Sequence, residues 1–229
     1  MKSSGSLPVT LFAFLSLSIV PFTAFAGADA VETGRLLAIL LDSGRVVVGL
    51  NQPLINDKEK GDKGFTPDVF EKQLQAKFRE RAGVDLANLQ SAKVPAQAKT
   101  LLPALVVASK QTVGDNQSLI NKKGTGFKGF TPANFGTQAA AKFTAKTNVY
   151  LKQTTLDSLL RNPNNKADEY EAAVLAKFAD PSYPRQGEKV ISNEVEGGKA
   201  VRLLLPLFYG KACLGCHGEP KGETDISGY

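Results

Sequence analysis

One pentapeptide occurs twice in this chain. Lys63-Gly64-Phe65-Thr66-Pro67 returns 65 positions later as Lys128-Gly129-Phe130-Thr131-Pro132. The same offset carries Leu54-Ile55-Asn56 onto Leu119-Ile120-Asn121. It also carries Phe70, Ala76-Lys77-Phe78 and Val84 onto Phe135, Ala141-Lys142-Phe143 and Val149. Upstream, Val48-Gly49-x-Asn51-Gln52 matches Val113-Gly114-x-Asn116-Gln117. Residues 36–86 and 101–151 therefore read as two copies of one helix–loop–helix unit. Two copies are too few to stack as a solenoid, so the expectation is a pseudo-symmetric pair packed into one domain. The polar linker 87–98, with Pro95, is too short to mark a domain boundary.

Each copy carries its own start and stop signals. Leu36, Leu37, Leu40, Leu41, Val47 and Val48 recur at helical spacing and predict a helix over 31–50. Thr66-Pro67 opens the next helix: threonine accepts free N–H groups and proline fits the first helical position. Val69, Phe70, Leu74 and Phe78 form its apolar face, and Gly83 ends it.

After the second copy the pattern changes. Residues 148–155 are β-branched and aromatic and read as a strand, with Tyr150 expected in the core. Arg161-Asn162-Pro163-Asn164-Asn165 is a turn cluster. A short amphipathic helix over 168–178 points Val174, Leu175 and Phe178 inward. Residues 188–196 and 199–209 predict a hairpin across Gly197-Gly198. Helices first and an antiparallel sheet last give an α+β class.

The N-terminus has the form of an export leader. Lys2 precedes an apolar core, Leu11 to Val20, and Ala24-Phe25-Ala26 is an A-x-A cleavage site. Residues 1–26 are expected to leave as a signal peptide, and 27–229 to form the single domain. The apolar run is too short to span a bilayer comfortably, and no later segment is long enough. No stable membrane insertion is expected after cleavage, and the localisation implied is periplasmic. The chain has 28 basic and 22 acidic residues, net +6. The excess is spread, without an aromatic-interleaved basic stripe. This argues against nucleic acid as a partner and for an ordinary solvated surface. The glycine-bearing loops near residues 61–64 and 124–129 lack the Gly-Lys-Ser/Thr ending of a phosphate cradle.

The chemistry is concentrated in Cys213-Leu214-Gly215-Cys216-His217. The chain has two cysteines and one histidine, and all three lie here. C-x-x-C-H is the attachment signature of a c-type haem: two thioethers from Cys213 and Cys216, and the His217 imidazole as proximal iron ligand. A thioredoxin-like redox pair would want a βαβ context that is absent. A structural disulfide would suit an oxidising compartment. Zinc would need a fourth ligand.

These residues place the chain near a known family. It resembles PAS-like c-haem domains, found as free periplasmic proteins, including a cyanobacterial example, and as sensory inputs of membrane histidine kinases. The matching stretches are 54–56 through 63–66, Lys152-Gln153-Thr154-Thr155-Leu156 through Arg161-Asn162-Pro163-x-Asn165, Glu171 to Leu175, Arg202 to Pro206, and Cys213-x-x-Cys216-His217-Gly218. The resemblance implies a PAS-like antiparallel sheet flanked by N-terminal helices, with one covalent haem near the C-terminus. Two departures stand out. Members usually continue through a Gly-Tyr-rich loop into a closing strand, whereas this sequence stops twelve residues after His217, which suggests a truncated C-terminus. The cyanobacterial member uses a distal cysteine ligand, and this chain has no third cysteine.

The sixth iron position then has no ordinary donor. The only histidine is proximal, the only methionine is Met1, and both cysteines hold the porphyrin. Water or an open site is expected, ahead of an amine or tyrosinate. Arg161 and Arg202 are candidate partners for haem propionates. Asp42 and Arg45 are candidate distal groups, with surface charge as the plainer reading. The function implied is a periplasmic mono-haem c-type cytochrome acting in redox or small-ligand (gas) sensing. An electron-transfer carrier and a peroxidase-like haem enzyme are the alternatives. The partner expected is a redox protein or a membrane sensor.

Overall fold

The computed structural model of the chain describes residues 22–184, 189–195, 200–209, 213 and 217. Its helices are α1 (Phe22–Leu50), α2 (Gln52–Ile55), α3 (Pro67–Ala82), α4 (Ala96–Asp115), α5 (Gln117–Ile120), α6 (Pro132–Thr147) and α7 (Glu169–Ala179). Strands β1 (Ile191–Val195) and β2 (Ala200–Leu204) pair antiparallel, in register from Ile191 opposite Leu204 to Val195 opposite Ala200.

The four long helices α1, α3, α4 and α6 pack on one another and carry the core. Phe70, Leu74 and Phe78 of α3, Phe135 and Phe143 of α6, and Leu36, Ile39 and Leu40 of α1 are fully buried. Each such side chain contributes about 1.5–3 kcal/mol of apolar burial. Val69, expected on the apolar face of α3, is 39% exposed instead.

The duplication folds as two equivalent units about a pseudo-two-fold axis. Thr66 and Thr131 cap α3 and α6, accepting from the Val69 and Asn134 amides at 3.3 and 3.2 Å. Gly83 and Asn148 end these helices in the left-handed region, at φ 68° and 57°. The copies also interlock. Asn121 Oδ1 accepts the Lys63 amide, and Asn56 Oδ1 accepts the Lys128 amide, each at 3.1 Å. Within each copy, Asn51 donates to Gln73 at 2.7 Å, and its equivalent Asn116 to Gln138 at 2.8 Å. The Lys63 and Lys128 side chains are buried, and both ammonium groups donate to the Asp57 carbonyl.

This corrects the α+β expectation. The described residues are mainly helical, and no PAS-like sheet organises them. Among them the only strand pairing beyond an isolated bridge is the two-stranded ribbon, which lies along α1. The approach is close: a Cβ placed on Gly34 would meet Leu203 Cδ1 at 3.5 Å. Apolar faces on four helices bury one another, so a sheet is not needed to close the core. The turn of the predicted hairpin lies outside the described residues.

The segment 148–155 is not a strand either. Asn148 serves as the α6 C-cap, and the Leu151 amide donates to Thr144 Oγ1 at 3.1 Å. Gln153 Nε2 donates to the Ala133 carbonyl at 2.8 Å, beside Gly136, where a Cβ would meet Gln153 Oε1 at 2.6 Å. Only one bridge, between Thr155 and Lys166, has strand-like pairing. β-Branched composition made this stretch look like a strand, but these hydrogen bonds go to α6. Tyr150, expected inside, is 71% exposed.

Helix α1 starts upstream of the expected Val31, so the predicted cleavage point after Ala26 falls within it. No described helix is long and apolar enough to cross a membrane. Helix α7 opens on a capping box: Asp168 accepts the Glu171 amide at 2.9 Å, and Glu171 accepts the Asp168 amide at 3.0 Å.

Candidate functional site

Beyond β2 the chain runs without regular structure through residues 205–209 towards Cys213 and His217. Leu205 packs on the core, whereas Leu207 and Tyr209 are 43% and 45% exposed. The Tyr209 ring stacks on the His217 imidazole, with centroids 4.7 Å apart and planes 20° from parallel. Cys213 is half-buried and carries a free thiol. Cys216 lies outside the described residues. Burial raises the Tyr209 hydroxyl above the usual phenol range. Its hydrogen bond with Thr155 and the cations Arg161 and Arg45 pull the other way, while Cys213 adds to the rise.

This segment and α1 enclose a small cleft of about 60 Å³. Leu41, Leu151, Leu205 and Leu207 give it apolar walls, and Asp42 and Arg45 are its charged members on α1. Arg45 pairs with Asp42 at 2.5 Å, one turn of helix away, and Arg81 of α3 approaches the other Asp42 oxygen at 2.8 Å. The Arg45, Asp42 and Arg81 side chains are only 22%, 13% and 18% exposed. Asp42 and Arg45, read from the sequence as surface charges, are thus part of a half-buried cluster bordering Leu205 and Leu207 of the segment after β2. Sequence reasoning missed Arg81 in this role. A signal existed in the charged pair Asp42 and Arg45, spaced i, i+3 between the apolar runs 36–41 and 46–48 of α1, but the sequence does not say which way that turn faces.

The two predicted propionate partners go to different places. Arg161 is exposed and acts electrostatically on Tyr209. Arg202 pairs with Asp168 at 2.6 Å, approaches Glu171 at 3.7 Å, and lies 4.6 Å over the Tyr170 ring. It fastens β2 to the start of α7. Glu171 also takes Lys152 Nζ at 2.8 Å, so that amine, which borders the cleft, is already engaged.

No group of three or more His, Cys, Asp or Glu gathers among the described residues in a way that would hold a bare metal ion. The described donors are instead one thiol and one imidazole, four positions apart in the chain. An aromatic ring lies against the imidazole, and an apolar cleft borders the segment that leads to it. A thiol and an imidazole at this spacing are the kind of donors that a thioether-linked porphyrin uses. Cys213 and Cys216 would hold the macrocycle and His217 its iron.

No curated protein and no solved structure matches this chain. One family model does match, over residues 71–229, from α3 through the second copy to the C-x-x-C-H segment and beyond. That span covers more than half of the chain, which belongs to the Tll0287-like family.

Proposed function

We propose that the chain is an exported, periplasmic mono-haem c-type protein that senses redox state or a small ligand. The observation that carries this reading is the Cys213 thiol and the His217 imidazole, the latter stacked on Tyr209, at the end of a segment whose Leu205 and Leu207 line an apolar cleft. The haem, when bound, supplies the redox couple and the ligand-binding iron.

The protein's own residues do the rest. Tyr209 stacks on His217 and fixes the plane of the imidazole. Leu205 and Leu207 present apolar surface and limit water. Arg161 places positive charge near Tyr209. The sequence supplies no second histidine, no methionine after Met1 and no third cysteine to close the sixth iron position. Lys152, the amine bordering the cleft, is held by Glu171. A vacant or water-filled position favours ligand sensing over a dedicated electron carrier, which works best with two strong ligands.

The test is co-expression of the full chain with a c-haem maturation system in a Gram-negative periplasm. The expected product carries the mass of one haem on a chain beginning at Gly27. It shows a Soret band that survives denaturation, and the ferrous form binds CO. A polypeptide of unmodified mass without a Soret band would refute the proposal. A six-coordinate low-spin spectrum indifferent to CO would favour the electron carrier.

A further inference from the structure

The two repeats agree where they are buried and differ on one outer face. Val48, Ile55, Phe70 and Phe78 return as Val113, Ile120, Phe135 and Phe143, and all of these are buried. On the outer side of α1, Val46 and Leu50 are 37% and 70% exposed. Their counterparts in the second repeat are Gln111 and Asp115, so the shared backbone does not require apolar side chains there. Asp115 pairs with Lys142 at 2.6 Å. Leu50 offers no such partner to the equivalent Lys77, which pairs with Glu80 at 2.6 Å. Between α1 and α3 lies an open groove with apolar walls from Val47, Leu50 and Ala76. Neighbouring apolar side chains kept in water without a packing reason mark a contact surface.

The charges on α3 point to what covers it. Lys72, Ala76 and Glu80 are exposed and stand four residues apart, so they follow one another along one side of the helix. A cation, a small residue and an anion in that order complement themselves when the stripe is turned end for end. Two α3 helices crossing antiparallel at Ala76 set each Lys72 opposite Glu80 of the partner subunit. The Ala76 methyl lets the helices approach, and Leu50 then has an apolar groove to enter. Lys77 takes one Glu80 oxygen, Oε2, and a carboxylate accepts through both. The second repeat lacks this stripe. Its equivalent residues are Thr137, Ala141 and Ala145, and Thr137 is met from within the chain by Gln153 Nε2 at 3.0 Å.

We infer that this face of α1 and α3 is a contact between two copies of the chain, with the two-fold axis at Ala76 and the α3 helices antiparallel. An isologous contact needs one surface that fits itself, and the Lys72–Ala76–Glu80 stripe beside the Leu50 groove has that property. The inference uses the first repeat alone and does not depend on the haem reading. The apolar part is two side chains of α1 and the groove beside them, so the dimer is reversible and forms as concentration rises.

The test is sedimentation velocity of the purified full chain over a range of concentrations, read the same way with haem or without it. Wild type is expected to pass from monomer to dimer. Leu50→Asp should raise the dimer dissociation constant about tenfold or more. It should keep the fold, because Asp115 occupies the same backbone position in the second repeat. Lys72→Glu and Glu80→Lys each set like charges opposite one another and should weaken the dimer. The double variant K72E/E80K restores opposite charges and should recover it. Circular dichroism checks that every variant keeps its helices. A wild type that stays monomeric overturns the inference, and so does a dimer that L50D leaves unchanged. Single charge reversals without effect, or a double variant no better than the singles, overturn the antiparallel arrangement. Amide-exchange protection of residues 46–51 and 69–80 in a monomeric wild type, lost in L50D, would give the groove to another segment of the chain instead.

Discussion

Phe70 and Phe135 stand 65 positions apart in the chain and 5.1 Å apart in space, ring centroid to ring centroid. Each meets the phenylalanine that precedes its own helix edge-on: Phe65 at 6.2 Å and Phe130 at 6.4 Å. The four rings form one cluster across the pseudo-two-fold axis, where the duplicated units share a core. Gly44 of α1 makes room for it, since a Cβ there would lie 2.7 Å from Phe135 Cε1.

The ring cluster yields the first prediction. Phe70→Ala and Phe135→Ala should each destabilise the fold by about 3–5 kcal/mol. Gly44→Ala should cost about 1–3 kcal/mol by overpacking. Urea unfolding followed by far-ultraviolet circular dichroism measures all three. A loss below about 1 kcal/mol for either phenylalanine would mean the axis is not packed as described.

The buried lysines give a pH dependence. Burial, and then the neighbouring Lys63 ammonium, lower the Lys128 amine below its ordinary value of 10.5, with Asp57 opposing. The unfolded chain then binds more protons than the folded one between the lowered folded value and 10.5, so this group's contribution to stability rises with pH across that window. Lys128→Met should flatten the rise. Urea midpoints in wild type and variant, taken from neutral to alkaline pH, should diverge in slope. Parallel curves would contradict the assignment.

Asp168 has the opposite sign. The Glu171 backbone amide, and then Arg202, hold its carboxyl below the ordinary value of 3.8. Its stabilisation is complete above pH 3.8 and is lost as pH falls through the lower folded value. Asp168→Ala should remove that acid-limb dependence and lower the thermal midpoint at neutral pH through the lost cap. Acid titration of the thermal midpoint compares the two proteins, and unchanged acid limbs would sink the idea.

The ends of α3 and α6 make a matched pair. A Cβ added to Gly83, at φ 68°, would meet no heavy atom within 4 Å. Gly83→Ala therefore tests backbone strain alone and should cost about 1–2 kcal/mol. At the equivalent position Asn148 has φ 57°. Asn148→Gly should be neutral, or stabilise by at most about 1 kcal/mol. Chemical denaturation of both variants provides the comparison.

Tyr209 offers a spectroscopic prediction on the haem reading. Tyr209→Phe retains the ring stacked on His217 and should leave the ferric electron paramagnetic resonance spectrum close to wild type. Tyr209→Ala removes the stack and should broaden it. Equal spectra in all three proteins would show that the stack does not orient the imidazole.

The sequence determined the local structure wherever the physics is local. Thr66-Pro67 and Thr131-Pro132 start helices because a hydroxyl and a fixed φ act within one turn. Leu36, Leu40 and Phe78 are buried at positions that helical periodicity alone puts on one face. The 65-residue repeat announced two equivalent units by itself. Cys213 and His217 belong to a C-x-x-C-H motif visible from spacing alone. Only the tertiary structure decided what those units do to each other. It showed that residues 151–153 give their hydrogen bonds to α6 and α7 rather than to a neighbouring strand, so that helices and not a sheet carry the core. It also turned Asp42 and Arg45 towards Leu205 and Leu207 of the segment after β2 and sent Arg202 to α7. A charge written in a sequence has no direction. Burial and pairing depend on contacts between distant parts of the chain, which exist only once α1, α3 and the segment after β2 have packed together.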